Sequence, residues 1–90
     1  MSTQALRQSR WRVVGAKETL KQVIAGHAVE VYVARDTDSK VVSVIIAESE
    51  RRHLPVCYVD TMKALGEMCG IEVNATAAAL TKSVPDDATG

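Results

Sequence analysis

Apolar residues in this chain recur at helical spacing in some stretches and at strand spacing in others, and the two kinds of stretch alternate. Leu20, Val23 and Ile24 fall at the interval of one buried helix stripe, while Lys17 and Lys21, four apart, share the opposite face. The spacing predicts a helix over about 16–25, opened by Gly15 and stopped by Gly26 as a C′ glycine. Val29, Val31 and Val33 alternate with Glu30 and Tyr32, which is strand behaviour. Asp36-Thr37-Asp38-Ser39 supplies N-caps for a helix over about 40–52, with apolar positions at 41, 42, 45 and 46. Leu54-Pro55 ends it, and Val56-Cys57-Tyr58-Val59 reads as the next strand. Asp60 or Thr61 caps a helix over about 62–69, whose apolar side is Met62, Leu65, Met68 and Cys69, and Gly70 terminates it. After a loop at 71–74, Ala75 to Leu80 reads as a closing strand. Ahead of the first helix, Trp11 to Val14 is either a short extended piece or the end of a helical turn. Residues 1–9 form a polar start expected to fray, and Ser83 to Gly90 a polar tail. Alternating helices and strands indicate an α/β layer with helices on both faces of a sheet.

Ninety residues make one small domain, here 1–90 with an ordered core expected over about 11–82. There is no Phe, one Trp and two Tyr, so Val, Ile, Leu and Ala must fill the interior. So few rings argue against an RNA-recognition sheet built on rows of stacked aromatics. Eleven basic and eleven acidic residues cancel, which excludes a general nucleic-acid coat. The charge is uneven, however. Arg7, Arg10, Arg12, Lys17 and Lys21 face only Glu18 within residues 7–21, and acids collect at Glu48, Glu50, Asp86 and Asp87. A local basic patch on a neutral chain favours specific binding over bulk attraction.

Candidate chemistry is sparse. Cys57 and Cys69 have no neighbouring Cys or His at metal-ligand spacing, so no metal site is expected. The spacing leaves a disulfide open, with reduced, buried packing residues as the simpler reading. His27 and His53 each follow a helix end and read as surface residues rather than general bases. The Asp36–Ser39 run is no calcium loop, because Val41 and Ala47 stand where Gly and Glu are needed. No signal peptide is evident, and the apolar stretch Val44 to Ala47 is far too short to span a bilayer. These features point to a cytoplasmic protein with no membrane partner, no cofactor and no catalytic role.

Two segments stand out as a pair. Gly15-Ala16-Lys17-Glu18-Thr19-Leu20-Lys21 is a helix start, which offers free backbone N–H groups and a positive dipole end. Gly70-Ile71-Glu72-Val73-Asn74 is an apolar loop bounded by glycine. Together they suit a folded, anionic partner such as RNA.

These words occur in order with Val33-Ala34-Arg35-Asp36-Thr37-Asp38, Leu54-Pro55-Val56-Cys57-Tyr58-Val59 and Leu65-Gly66. Over about residues 13–81 the chain resembles the kink-turn RNA-binding ribosomal protein family. This is the family of the archaeal large-subunit protein L-seven-Ae and its L-thirty-e relatives, with small bacterial members. The resemblance implies a three-layer α/β/α sandwich around a mixed four-stranded sheet. It implies binding to structured RNA at a kink-turn, a sharp bend set by tandem sheared G·A pairs, with the ribosome as one setting; a monomer is the expected state. Gly15, Lys17, Glu18 and Lys21 would then form one jaw, with Glu18 holding Lys21 in place. Asp38, facing an extruded nucleotide, would form the other with Ile71, Glu72 and Val73 as that nucleotide's apolar wall. Arg35 and Lys63 would reach phosphates. Lys17 replaces the Asn of the family's most familiar helix start and offers only donors, where an amide offers both donor and acceptor. The rival reading is a protein–protein interaction module on the same fold, as in stress-response relatives. A basic surface joining the two segments would favour RNA; an acidic or broadly apolar one would favour a protein.

Overall fold

Val13, Val31, Val33, Ala77 and Ala79 come from three strands and bury against the same helices. In the computed structural model, which describes residues 12–82, the order is β1 (Arg12–Val14), α1 (Ala16–Ile24), β2 (Ala28–Ala34), α2 (Lys40–Arg51), β3 (Val56–Val59), α3 (Met62–Met68) and β4 (Ala77–Thr81). Trp11 and the polar segments 1–9 and 83–90 lie outside the described residues. The four strands form one mixed sheet ordered β1-β4-β2-β3. β4 is antiparallel to β1 and β2, whereas β2 and β3 are parallel.

Because strand side chains alternate, the two faces of β2 and β4 feed two cores. Val31, Val33, Ala77 and Ala79 meet Val23 of α1 with Val42 and Ile45 of α2. Tyr32, Ala34 and Ala78 meet Leu65 of α3 and Cys69 just beyond it. The result is the three-layer α/β/α sandwich that the resemblance implied. The Ala77-Ala78-Ala79 run is fully buried on both faces, and its small side chains let the helix layers approach the central strand.

Each helix stops on a residue with positive φ: Gly26 at 81°, His53 at 61° and Gly70 at 76°. At each stop the chain closes back with two bonds of the Schellman pattern. For α2 these run from His53 N–H to Glu50 C=O at 3.1 Å and from Leu54 N–H to Ser49 C=O at 2.8 Å. His53, not Leu54-Pro55, therefore ends this helix.

Several details depart from the sequence pattern. Ile24 is 53 % exposed, and the buried face of α1 is Thr19, Gln22 and Val23 instead. Gln22 is accommodated because its amide donates to Glu18 at 3.0 Å and its oxygen pairs with His27 Nδ1 at 3.1 Å. Val29 faces outward beside a register irregularity between Ala28 and Glu30, which turns Glu30 inward. Trp11 to Val14 resolves as strand from Arg12 onward, paired with β4. The last strand begins at Ala77 rather than Ala75, because the Ala75 amide donates to Met62 C=O at 3.0 Å. Both cysteines are free thiols. Cys69 is buried as expected, but Cys57 is exposed on edge strand β3 and is no packing residue.

Candidate functional site

Strand directions decide where the loops gather. β1, β2 and β3 all end, and β4 begins, at the same end of the sheet. The turns after β1, β2 and β3 and the segment entering β4 therefore converge there, where α/β sheets commonly present ligand-binding groups. Backbone bonds lock them together. Gly15 N–H donates to Ala77 C=O at 2.8 Å, Ala34 N–H to Thr76 C=O at 3.0 Å, and Arg35 N–H to Val59 C=O at 2.7 Å. The Asp36 carboxylate accepts from Met62 N–H at 2.8 Å and ties the β2–α2 loop to the start of α3. That helix start is also capped by Thr61, whose hydroxyl accepts from Ala64 N–H at 2.9 Å.

Gly15 sits at φ 110°, a conformation that side-chain-bearing residues rarely adopt. No side chain caps α1, so its leading amides face outward without a side-chain acceptor. Lys17 and Lys21 are exposed, with no ion-pair partner among the described residues. Glu18 does not hold Lys21; its carboxylate accepts from Gln22. The Gly15–Ala77 bond thus ties the helix start to the first residue of β4, immediately after the 70–76 segment.

The residues expected in the second jaw line two clefts. Asp38 lines a cleft of about 480 Å³ with Arg35, Ser43 and Tyr58, over Val33, Val42 and Ile46. Ile71, Glu72 and Val73 line another, of about 350 Å³, with Lys63, Glu67 and Asn74. Asp38 and the 71–73 loop share neither cleft. Within that loop Ile71 packs half-buried against the Tyr32–Leu65 core, while Val73 is 68 % exposed. The loop rests on Gly66 of α3, where a Cβ would overlap the Val73 carbonyl.

Sequence reasoning passed over three residues. Tyr58 read only as part of a strand, yet it is 45 % exposed with the Arg35 guanidinium 5.8 Å from its ring centroid. Gly66 stood in the quoted motif without a role, though a glycine inside a helix is itself a signal of close approach. Asp36 read as a cap, but it caps α3, not α2. A further cleft of about 400 Å³, lined by residues including Val29, Arg52, His53 and Lys82, holds none of the expected residues and lies at the opposite end of β2.

Glu48, Cys69 and Tyr32 have perturbed titrations. Arg51, bonded at 2.7 Å, and Arg52 hold the Glu48 carboxyl below its ordinary value. Burial pushes the Cys69 thiol up. Burial and then the Glu30 charge push the Tyr32 phenol well up. Among the described residues, no group of three or more His, Cys, Asp or Glu is placed to share a metal ion. No described helix is long and apolar enough to cross a membrane.

A small α/β/α sandwich with its loops knitted over one sheet end is a scaffold for recognition by loops and helix tips. The chain belongs to the Ribosomal protein L7Ae/L30e/S12e/Gadd45 family, whose model matches residues 2–88. It is 48 % identical over 68 residues to an RNA-binding protein of Caldanaerobacter subterraneus subsp. tengcongensis, covering 76 % of this chain and 83 % of that one. It is 37 % identical over 82 residues to the RNA-binding protein YbxF of Geobacillus stearothermophilus, covering 91 % of this chain and all of the relative. Among solved structures it superposes on a Giardia lamblia 15.5kD RNA binding protein with a TM-score of 0.79 and 28 % identity, over 90 % of this chain and 68 % of that one. A Bacillus halodurans protein of unknown function shares the fold, with a TM-score of 0.75 at 16 % identity, over 90 % of this chain and 81 % of that one.

Proposed function

We propose that this protein binds structured RNA at a kink-turn or kink-like internal loop, as a cytoplasmic monomer, without catalysis or cofactor. Relatives at 48 % and 37 % identity are named RNA-binding proteins, which supports the RNA part of the reading. The single observation that carries it to a particular surface is the Gly15–Ala77 bond. Through it an uncapped helix start bearing Lys17 and Lys21 is tied to the first residue of β4, the strand into which the segment with Ile71, Glu72 and Val73 leads.

The chemistry follows from what a bent RNA exposes. Regular A-form RNA hides its major groove, and a kink opens base edges there. Guanine O6 and N7 are acceptors and call for cations or amide donors. Lys17 and Lys21 supply the donors, and Gly15 lets the backbone come close. Glu18, steadied by Gln22, presents an acceptor to a base amino group. Arg35 and Lys63 neutralise flanking phosphates, and Val73 gives the apolar wall. The protein selects the bent form from a flexible RNA ensemble and thereby stabilises it. Ribosomal RNA or another structured transcript provides such a loop.

A calorimetric titration at fixed salt tests this, comparing a standard kink-turn RNA with one whose G·A pairs are disrupted. Tight binding to the first and weak binding to the second is expected. Equal affinities would remove the kink from the reading. Silence with both RNAs would remove RNA and leave a protein partner.

A further inference from the structure

At the end of the sheet away from Gly15, the turns enclose a cleft that RNA binding leaves unused. It lies where α1 passes into β2, where α2 passes into β3, and where β4 ends. Backbone bonds fix these segments to one another. Lys82 N–H donates to His27 C=O at 2.8 Å, and Val31 N–H to Pro55 C=O at 2.9 Å. The volume of about 400 Å³ falls in the ordinary range of ligand clefts.

The lining divides by chemistry. Val29, Leu54 and Pro55 supply aliphatic surface, and Val29 is 40 % exposed on a strand whose other apolar residues are buried. Arg52, His53 and Lys82 supply the polar part, and no described carboxylate lines the cleft. Lys82 has no ion-pair partner among the described residues. Arg52 reaches Glu48 only at 3.4 Å, while that carboxylate makes its 2.7 Å bond to Arg51. Nor do the two helix ends draw on these cations. Backbone N–H groups of Gly26, His27, His53 and Leu54 already bond carbonyls of the last turns.

His53 adds an observation of its own. α1 and α3 stop on glycine, which takes positive φ freely, but α2 stops on a histidine held at φ 61°. The backbone alone would favour glycine there, so an exposed imidazole beside the cleft is held at a conformational cost. Cations set around aliphatic surface call for a ligand with both features. A nucleic-acid strand matches the charge but not the aliphatic side; an acidic peptide with aliphatic side chains matches both.

We propose that this cleft docks an extended acidic segment of a partner protein, its aliphatic side chains against Val29, Leu54 and Pro55 and its carboxylates at Arg52, His53 and Lys82. The inference stands apart from the RNA reading. Because the cleft and the Gly15 loops occupy opposite ends of the sheet, RNA and partner can be held together.

The test titrates the isotope-labelled full chain, read amide by amide by NMR, with synthetic peptides alternating Asp and Leu, Lys and Leu, or Asp and Ser. The Asp–Leu peptide alone should bind, moving the amides of Gly26, Val29, His53 and Lys82. Lys82→Glu should weaken it roughly 10-fold or more, with kink-turn RNA affinity unchanged. His53→Gly should weaken it roughly 5-fold while the urea midpoint holds or rises, a combination that a merely structural histidine would not give. No binding of the Asp–Leu peptide, equal binding of either control peptide, or shifts confined to other amides overturns the inference. So does a single-stranded RNA that moves the same amides and displaces the peptide, which would make the cleft a nucleic-acid site. A full chain carrying Asp86→Asn and Asp87→Asn that binds the peptide roughly 10-fold tighter than the native one would assign the cleft to the chain's own acidic end, and the external partner is then refuted.

Discussion

Gly66 and the carbonyl of Val73 lie so close that a single added methyl on Gly66 would overlap that carbonyl. A glycine in a helix interior costs about 1 kcal/mol relative to alanine, so this contact must return something for it. What it returns is the seat of the 71–74 loop against α3.

Gly66→Ala separates the two effects. Better helix propensity favours the variant by about 1 kcal/mol, while overlap with backbone, which has no rotamer to escape into, costs about 1–3 kcal/mol. The expected outcome in urea denaturation is a net loss of stability, with RNA affinity falling as the loop lifts. A variant more stable than the native chain, with unchanged affinity, would show that the loop does not depend on this contact.

The contact between Asp36 and Met62 makes a second, independent prediction. The carboxylate satisfies an orphan donor at the start of α3 and pins the loop that carries Arg35 and Asp38. Asp36→Ala should cost about 0.5–2 kcal/mol of stability, the usual worth of a helix cap. Asp36→Asn keeps an acceptor oxygen and should lose much less. Equal losses for both would assign the effect to charge rather than to the bond.

How much of this was legible in the sequence depends on whether the determinant was local. α1, α2 and α3 could be placed within a residue or so because Gly26, Gly70, Ser39 and Thr61 are local stop and start signals. His53 gave no such signal, since a histidine with positive φ is known only from the folded chain. The buried face of α1 was misread because apolar character, not angle, chose Ile24 over Thr19 and Gln22. The Ala77–Ala79 run has no alternation, so its faces could not be assigned before the sheet order was known. The tie between Gly15 and Ala77, where the 70–76 segment enters β4, follows from topology, since it needs β1 and β4 to be neighbours. Which cleft Asp38 lines and which Ile71–Val73 line depends on how α3 and the β2–α2 loop dock, and no spacing along the chain encodes that.

Lys21 and Val73 test whether the helix start and the loop act on one RNA. Both are exposed, so Lys21→Ala and Val73→Asp should leave the fold intact. Val73 is a cleaner probe than Ile71, which also packs into the core. Each single change should weaken kink-turn binding by about 1–3 kcal/mol at fixed salt. Lys21→Ala should also flatten the salt dependence where it meets phosphate. An unchanged dissociation constant for either variant would take that residue out of the interface.

The two thiols should differ sharply in reactivity. Cys57 is exposed on the sheet edge, whereas Cys69 is fully buried and burial raises its pKa, leaving little thiolate. A disulfide exchange reagent near neutral pH should label Cys57 quickly. Cys69 should react more than about 100-fold slower, at the rate of protein opening, and denaturant should equalise them. Two equally fast thiols in the native protein would contradict the packing around Cys69.

Tyr32 makes a prediction about alkaline stability. Its hydroxyl is buried without a hydrogen-bond partner, and burial together with the Glu30 charge pushes the phenol above its ordinary value. The unfolded phenol loses its proton near about pH 10; the folded one does so only at higher pH. In that interval the unfolded chain holds fewer protons, so raising the pH drains stability, and the contribution is complete below it. Cys69, raised by burial, adds a slope of the same sign starting nearer about pH 8.5. Tyr32→Phe removes the phenol together with a buried, unbonded hydroxyl, a group whose desolvation costs about 1–3 kcal/mol. Its urea midpoint at neutral pH should equal or exceed that of the native chain. Its decline above about pH 10 should be shallower, while the part that begins near about pH 8.5 should persist. A variant that is less stable at neutral pH and equally sensitive to alkali would mean that the hydroxyl is bonded in the folded protein.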